Sequence, residues 1–174
     1  MPNDGINAII EAHKFIKELL KLQKKLQDDK NDMFSIPYTT INIGTINGGD
    51  AINKVPDKCT IKFDARTIKE EHNILIENEV KKILKNFNCK LEISINIKAN
   101  INKNNEMISK IEEITQNKSQ AENYVTEASF LPNTQAVILG VGPITAHQCD
   151  EYINTTSLKE LVKIYDRIIE EYCF

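Results

Sequence analysis

The chain has 174 residues, of which 41% are hydrophobic, and its formal net charge is -3. This length suits one ordinary globular core or two small units that share an interface. The charge balance lacks the basic excess that binding to a phosphate backbone requires, which argues against nucleic acid as a partner. No apolar run approaches the roughly 20 residues that span a bilayer, and the N-terminus does not resemble a signal peptide. We therefore expect a cytoplasmic protein without a membrane partner.

The first half of the chain predicts a helix followed by two strands. Apolar residues recur at helical spacing from Asn7 to about Asp28, which predicts an amphipathic helix. Tyr38 to Ile46 predicts a strand. Cys59 to Arg66 alternates between apolar and polar residues, so a second strand is predicted there, with Arg66 projecting away from the buried face.

A second helix and a third strand complete this half. Helical spacing of apolar residues runs from Ile76 to Phe87, and strict alternation follows from Leu91 to Lys98. The order αββαβ matches the ferredoxin-like βαββαβ unit without its first strand, which normally lies inside the sheet. The absence of that strand suggests a chain that starts in the middle of a domain.

The pattern changes beyond the polar linker from Asn100 to Asn105. A short helix is predicted from Met107 to Ile114, and two short strands are predicted at Asn123 to Val125 and at Ala136 to Leu139. A terminal amphipathic helix is predicted from about Ser157 to Tyr172. These elements are too few to close a core of their own.

Together the patterns predict an α/β (α+β) fold in two parts. Residues 1–99 form an incomplete ferredoxin-like domain, and residues 100–174 form the last segment of a larger α/β domain. Four scattered cysteines without a C-x-x-C pair are expected to be free thiols rather than zinc ligands or disulfides.

One histidine has surroundings that suit metal binding. His147 stands in a predicted loop after an apolar strand and is followed by Asp150 and Glu151. A neutral imidazole can bind zinc, and a nearby carboxylate can hold its other nitrogen in the right tautomer. A lone histidine is nevertheless more often structural than a ligand. His13 and His72 fall on amphipathic helices and are interpreted as structural.

Four other residues are candidates for substrate binding, each with a plainer alternative. Asn53 lies in a loop longer than a tight hairpin needs, although Asn is also common in turns. Arg66 can grip a carboxylate with two parallel hydrogen bonds, or it can be a solvated strand residue. Thr126 and Glu127 can meet the polar end of a substrate, or they can form a capped turn.

Several short motifs occur in a fixed order along the chain. They are P-x-x-G-x-N-A-I at Pro2 to Ile9, G-G-D-A-x-N at Gly48 to Asn53, D-A-R at Asp64 to Arg66, T-E-A at Thr126 to Ala128, and A-H-Q-x-D-E-Y at Ala146 to Tyr152. By their order and spacing the whole chain resembles the zinc aminoacylase and carboxypeptidase family, which includes acetylornithine deacetylase, succinyl-diaminopimelate desuccinylase and bacterial glutamate carboxypeptidase. The last two motifs resemble acetylornithine deacetylase within that family.

The resemblance implies a role for each half and for each candidate residue. The first half would be an inserted dimerisation domain, and the second would return to complete the catalytic domain. His147 would bind one metal of a two-metal zinc or cobalt site, with Asp150 and Glu151 beside it. The matching substrate-binding residues would be Asn53, Arg66, Thr126 and Glu127. The family's other metal ligands and its catalytic glutamate lie upstream, so no catalytic residue is expected here.

The resemblance also implies an activity for the complete protein. It would be a homodimer that removes the acetyl group from N-acetylornithine, an N-acyl amino acid, in arginine biosynthesis. This chain would need the missing N-terminal half and would be inactive alone. The alternatives are succinyl-diaminopimelate desuccinylase or a related metallo-carboxypeptidase, and a non-catalytic dimerisation module or gene remnant.

Overall fold

The computed structural model of the chain describes residues 5–98, 102–131, 133–143, 145–146 and 148–174. By their contacts these residues form two compact units. The first unit contains the residues up to 98 together with Ala121–Val125, and the second contains residues 102–120 and Thr126–Phe174. A break near residue 100 is thus present, but Ala121–Val125 returns to the first unit. The functional roles assigned to the two halves remain predictions.

The first unit has the element order helix, strand, strand, helix. Its elements are α1 (Ala8–Leu26), β1 (Thr40–Gly48), β2 (Cys59–Arg66) and α2 (Glu70–Leu84). Helix α1 begins after Asn7, because the side-chain oxygen of Asn7 accepts hydrogen bonds from the backbone N–H groups of Ile9 and Ile10. The mixed α/β fold class and these four elements are confirmed, with boundaries that differ from the predicted ones by a few residues.

Strands β1 and β2 form a two-stranded antiparallel sheet. Thr40 lies opposite Arg66 at one end, and Gly48 lies opposite Cys59 at the end where the connecting loop begins. Burial alternates along β2, with Arg66 exposed, as the sequence predicts. The sheet therefore holds Arg66 and the connecting loop at opposite ends.

The core of the first unit is shared by α1, α2 and the inward face of the sheet. Leu19 is 1% exposed and Val80 is 2% exposed. The ring of Phe15 contacts the rings of Phe63 and Phe87, with centroid distances of 6.2 and 6.3 Å. Burial of this apolar cluster is the main source of stability for the unit.

The predicted third strand, Leu91 to Lys98, is wrong. Its described residues form no strand, and Leu91, Ile93 and Ile95 are exposed. Lys98 makes an ion pair with Glu70 at 2.8 Å, so a side chain rather than a backbone ladder ties the segment to α2. Alternation predicts which face of a strand is apolar, but a strand also needs a neighbour that offers free backbone groups.

The second unit contains two α-helices and a short 3-10 helix. These are α3 (Asn105–Thr115), the 3-10 helix Glu127–Phe130 and α4 (Thr155–Cys173), and both predicted α-helices are confirmed. The predicted strands at Asn123–Val125 and Ala136–Leu139 are wrong. In Ala136–Leu139, two backbone carbonyls accept hydrogen bonds from side chains rather than from a neighbouring strand. Asn102 donates to the Ala136 carbonyl at 3.2 Å, and Tyr165 donates to the Leu139 carbonyl at 3.3 Å.

The second unit has a small core. Among its described residues, the buried apolar ones are Ile111, Ile114 and Ala128. Helix α4 has no buried residue, although apolar side chains recur along it at helical spacing. Its exposed apolar residues are Leu158, Val162, Tyr165, Ile169 and Tyr172.

Two further expectations concern cysteines and membranes. All four cysteines are free, which confirms the prediction of free thiols. Within the described ranges, no helix combines the length and the apolar character needed to cross a bilayer.

Candidate functional site

Arg66 lies at the exposed end of β2 with part of its guanidinium already engaged. Its side chain is 57% exposed. Nε donates to the Asp64 carboxylate at 3.1 Å, and Nη1 donates to the Asn123 carbonyl at 3.1 Å. A guanidinium has five N–H donors, so donors remain for an anion such as a carboxylate. Because Asp64 already neutralises part of the charge, such an anion would compete with an internal partner.

Asn53 lies in the exposed loop that connects β1 to β2. The base of this loop is anchored, because the N–H of Ala8 donates to the Pro56 carbonyl at 2.9 Å. Gly49 has a φ of 75°, a left-handed conformation that favours glycine. A Cβ atom at Gly48 would lie 2.9 Å from the sulfur of Cys59, so this position is also restricted to glycine. Gly48 thus ends β1 and Gly49 begins the loop that contains Asn53.

Asn53 and Arg66 do not converge within one chain. The loop follows the Gly48–Cys59 end of the sheet, whereas Arg66 stands at the Thr40 end. Strand β2 has eight residues, and at about 3.3 Å per residue its ends lie roughly 23 Å apart. A molecule as small as an acylated amino acid cannot bridge that distance. If both residues bind substrate, they serve two different sites.

Thr126 and Glu127 stand at the start of the 3-10 helix. Thr126 is the residue before the helix, and its side chain makes no capping hydrogen bond. Its carbonyl accepts the N–H of Ser129 at 3.0 Å, which closes the turn through the backbone instead. Glu127 is exposed. The segment is therefore a turn without a side-chain cap, and substrate binding by Thr126 and Glu127 remains a prediction.

A side-chain clasp joins the two sides of the segment that contains Asp150 and Glu151. The hydroxyl of Thr145 donates to the carbonyl of Tyr152 at 3.0 Å and accepts the N–H of Tyr152 at 3.1 Å. Asp150 and Glu151 are both exposed. His147, the predicted metal ligand, lies outside the described residues, and its role stays a prediction.

Over the described ranges, no group of three or more His, Cys, Asp or Glu side chains could hold a metal ion. A catalytic zinc usually takes three protein ligands. The part of the chain that the structure describes therefore holds no complete metal site by itself.

The structure reveals a partly buried polar cluster that the sequence interpretation missed, and we call it the His72 cluster: Asp29, Thr39, Lys69 and His72. His72 is 4% exposed and Thr39 is fully buried. Nδ1 of His72 lies 2.6 Å from the Thr39 hydroxyl, and Nε2 lies 3.2 Å from the Asp29 carboxylate. A hydrogen bond from Lys69, followed by its charge and by the contact with His72, lowers the pKa of the Asp29 carboxyl, although burial opposes this shift.

One sequence signal could have predicted the burial of His72. It stands at the first of three positions, His72, Ile76 and Val80, that share one face of α2 at four-residue spacing. All three side chains are buried. The partners Asp29 and Thr39 are too distant in sequence for any local pattern to identify.

Comparison with known proteins is consistent with these observations. The family model described as a peptidase dimerisation domain matches residues 1–92. The acetylornithine deacetylase of Buchnera aphidicola subsp. Schizaphis graminum (strain Sg) is 35% identical over 99% of this chain and 48% of that protein. Those of Buchnera aphidicola subsp. Acyrthosiphon pisum (strain Tuc7) and Pectobacterium carotovorum subsp. carotovorum (strain PC1) are each 32% identical over the same shares.

Two facts follow from these matches. The chain spans about half the length of the curated relatives it matches. The family model covers more than half of the chain, and the similarity to acetylornithine deacetylases extends through nearly all of it. The chain belongs to the peptidase dimerisation domain family.

Proposed function

We propose that this chain supplies the dimerisation domain and one end of the active site of a metal-dependent amidohydrolase that converts N-acetylornithine and water to ornithine and acetate in arginine biosynthesis. The observation that carries the proposal is the similarity to proteins named acetylornithine deacetylase over 99% of the chain. The same alignment covers only 48% of the relative. Activity would therefore require the half that this chain does not match.

The proposed metal contribution is a single ligand. His147 would hold one zinc or cobalt ion, and Asp150 or Glu151 would fix its tautomer. The contact between Thr145 and Tyr152 supports this role, because it holds together two residues that flank His147, Asp150 and Glu151 in the sequence. When bound, a metal pair would supply an activated water and polarise the scissile amide.

The substrate contacts proposed for the first unit, Asn53 and Arg66, belong to opposite ends of the sheet. Arg66 would bind the α-carboxylate of the substrate with its remaining donors. Glu127 would suit the cationic side chain of acetylornithine, with the Thr126 hydroxyl nearby in sequence. Because the loop of Asn53 follows the end of the sheet opposite to Arg66, and these two ends lie roughly 23 Å apart by strand rise, Asn53 would serve the site of a facing subunit. The proposed enzyme is therefore a homodimer.

The surface of α1 is compatible with such a dimer. Ile9, Ile10 and Leu20 are exposed although they are large and apolar. Burying apolar surface of this kind contributes roughly 25 cal/mol per Å² to association. Their helix belongs to the segment that the peptidase dimerisation model matches.

Reconstitution tests the proposed function. The chain is expressed alone and together with the half of the Buchnera aphidicola subsp. Schizaphis graminum protein that it does not match. We expect hydrolysis of N-acetylornithine only when both polypeptides and a divalent metal are present. The intact relative is the positive control, and the unmatched half alone is the negative control.

The outcomes separate the alternatives. Preference for N-succinyl-diaminopimelate over N-acetylornithine would assign the desuccinylase reaction instead. A stable two-part complex that binds metal but hydrolyses neither substrate would contradict the enzymatic proposal and favour a non-catalytic dimerisation module.

A further inference from the structure

The His72 cluster forms one continuous chain of hydrogen bonds. The N–H of Ile68 donates to the Thr39 hydroxyl at 3.3 Å, and that hydroxyl lies 2.6 Å from Nδ1 of His72. Nε2 of His72 lies 3.2 Å from Asp29, whose carboxylate also pairs with Lys69. These hydrogen bonds link the segment after α1, the residue before β1, the second residue after the end of β2, and the first turn of α2.

One tautomer of His72 satisfies every group in this chain. A carboxylate only accepts hydrogen bonds, so Nε2 carries a hydrogen and donates it to Asp29. In the neutral ring Nδ1 then accepts, and its donor is the Thr39 hydroxyl. Thr39 still has a lone pair for the Ile68 N–H. Because Thr39 has no exposed surface, the cluster cannot act as a hydroxyl nucleophile with a histidine base, despite its Thr–His–Asp order.

The cluster lies at the same end of the sheet as Arg66. Thr39 immediately precedes Thr40, which is the register partner of Arg66. Ile68, whose N–H the Thr39 hydroxyl accepts, stands two residues after Arg66. The cluster therefore holds both backbones that flank Arg66. An unpaired buried hydroxyl or N–H is costly, which favours one fixed arrangement.

The guanidinium of Arg66 depends on the same local backbone. Nη1 is held by the Asn123 carbonyl, and the Asn123 side chain donates to the Ile36 carbonyl at 3.4 Å. Ile36 lies in the segment that leads to Thr39. A shift of this segment would move the carbonyl that orients the guanidinium.

We infer that His72 and Thr39 are positioning residues, which order Arg66 at the end of the sheet for binding an anion of the carboxylate class. The assignment of that anion to the substrate rests on the proposed function. The ordering of Arg66 does not, and it can be measured in this chain without substrate.

The test compares three threonine substitutions in the full chain by NMR. Thr39→Val keeps the shape and removes the hydroxyl, Thr39→Ser keeps the hydroxyl, and Thr60→Val is the control at an exposed position on β2. In Thr39→Val we expect about ten-fold faster amide exchange at Ile68. We also expect the order parameter of Arg66 Nε to fall below about 0.6. Thr39→Ser should restore both values, and Thr60→Val should change neither.

A second variant, Asp29→Ala, keeps the inference testable if Thr39→Val does not fold. Asp29 is 43% exposed, so Asp29→Ala is expected to fold even if Thr39→Val does not. It should change the ¹⁵N shifts of the His72 ring away from the pattern with hydrogen on Nε2, and it should lower the order of Arg66. Unchanged order at Arg66 in folded Asp29→Ala or Thr39→Val would overturn the inference.

Kinetics of the reconstituted enzyme separate this inference from the proposed function. If both hold, Thr39→Val should raise KM about ten-fold with a smaller change in kcat, and Thr39→Ser should rescue it. If Arg66 becomes disordered while KM is unchanged, the positioning role stands and the substrate role of Arg66 fails.

Discussion

Adjacent leucines on α1 offer a matched test of the fold, because one is buried in the core and the other is exposed. Leu19 is 1% exposed in the core, whereas Leu20 is 50% exposed. Leu19→Ala removes carbon groups worth about 0.8 kcal/mol each, or about 2.4 kcal/mol in all. A residual cavity raises the expected loss of unfolding free energy to about 3 to 4 kcal/mol. Leu20→Ala in the same helix should cost less than about 1 kcal/mol.

The assay is urea unfolding of the full chain followed by circular dichroism. Both variants are Leu to Ala changes in the helix interior, so the change in helix propensity is the same in each and cancels in the comparison. Both are measured at the same protein concentration. If α1 also forms a dimer surface, the effect of Leu20→Ala should grow with protein concentration. Equal losses for the two variants at low concentration, or a larger loss for Leu20→Ala, would refute the assigned face of α1.

Three further predictions follow. In the reconstituted enzyme, Arg66→Ala should cost about 1.5 to 3 kcal/mol, roughly ten- to a hundred-fold in kcat/KM, with metal content unchanged; wild-type kinetics would return Arg66 to the role of a solvated strand residue. Hydrogen bonds from Lys118, then from Ser119, lower the pKa of Glu112 to about 2. Its contribution to stability should therefore be present above about pH 4.5 and be lost as the pH falls toward about 2; an unchanged pH profile of unfolding in Glu112→Gln would contradict this. Calorimetry should show weak zinc binding by the isolated chain, and tight stoichiometric binding abolished by His147→Ala would mean that further ligands lie within it.

The spacing of apolar residues along the sequence correctly predicted the helices and strands whose packing or pairing partners are close in the chain. The alternation from Cys59 to Arg66 gave the limits of β2, because that strand pairs with β1 across a single loop. The segment from Leu91 to Lys98 alternates equally well and forms no strand. A ladder depends on a partner with free backbone groups, and no local pattern reports whether one is present.

For the candidate residues too, exposure or burial could be predicted from the local sequence, whereas their contacts could not. Exposure of Arg66 followed from alternation, and its contact with the Asn123 carbonyl did not, because these residues are 57 apart in sequence. His72 shares a helical face with Ile76, so its burial was predictable. Its contacts with Thr39 and Asp29 span 33 and 43 residues and come from the tertiary fold alone.

The most direct test of the central claim, that this chain contributes a metal ligand to an acetylornithine deacetylase-type enzyme, is metal analysis of the reconstituted protein alongside its kinetics. His147→Ala is compared with His13→Ala, an exposed histidine on α1. We expect that His147→Ala loses bound metal and nearly all hydrolysis of N-acetylornithine, whereas His13→Ala retains its metal content. Normal metal content and normal activity in His147→Ala would contradict it.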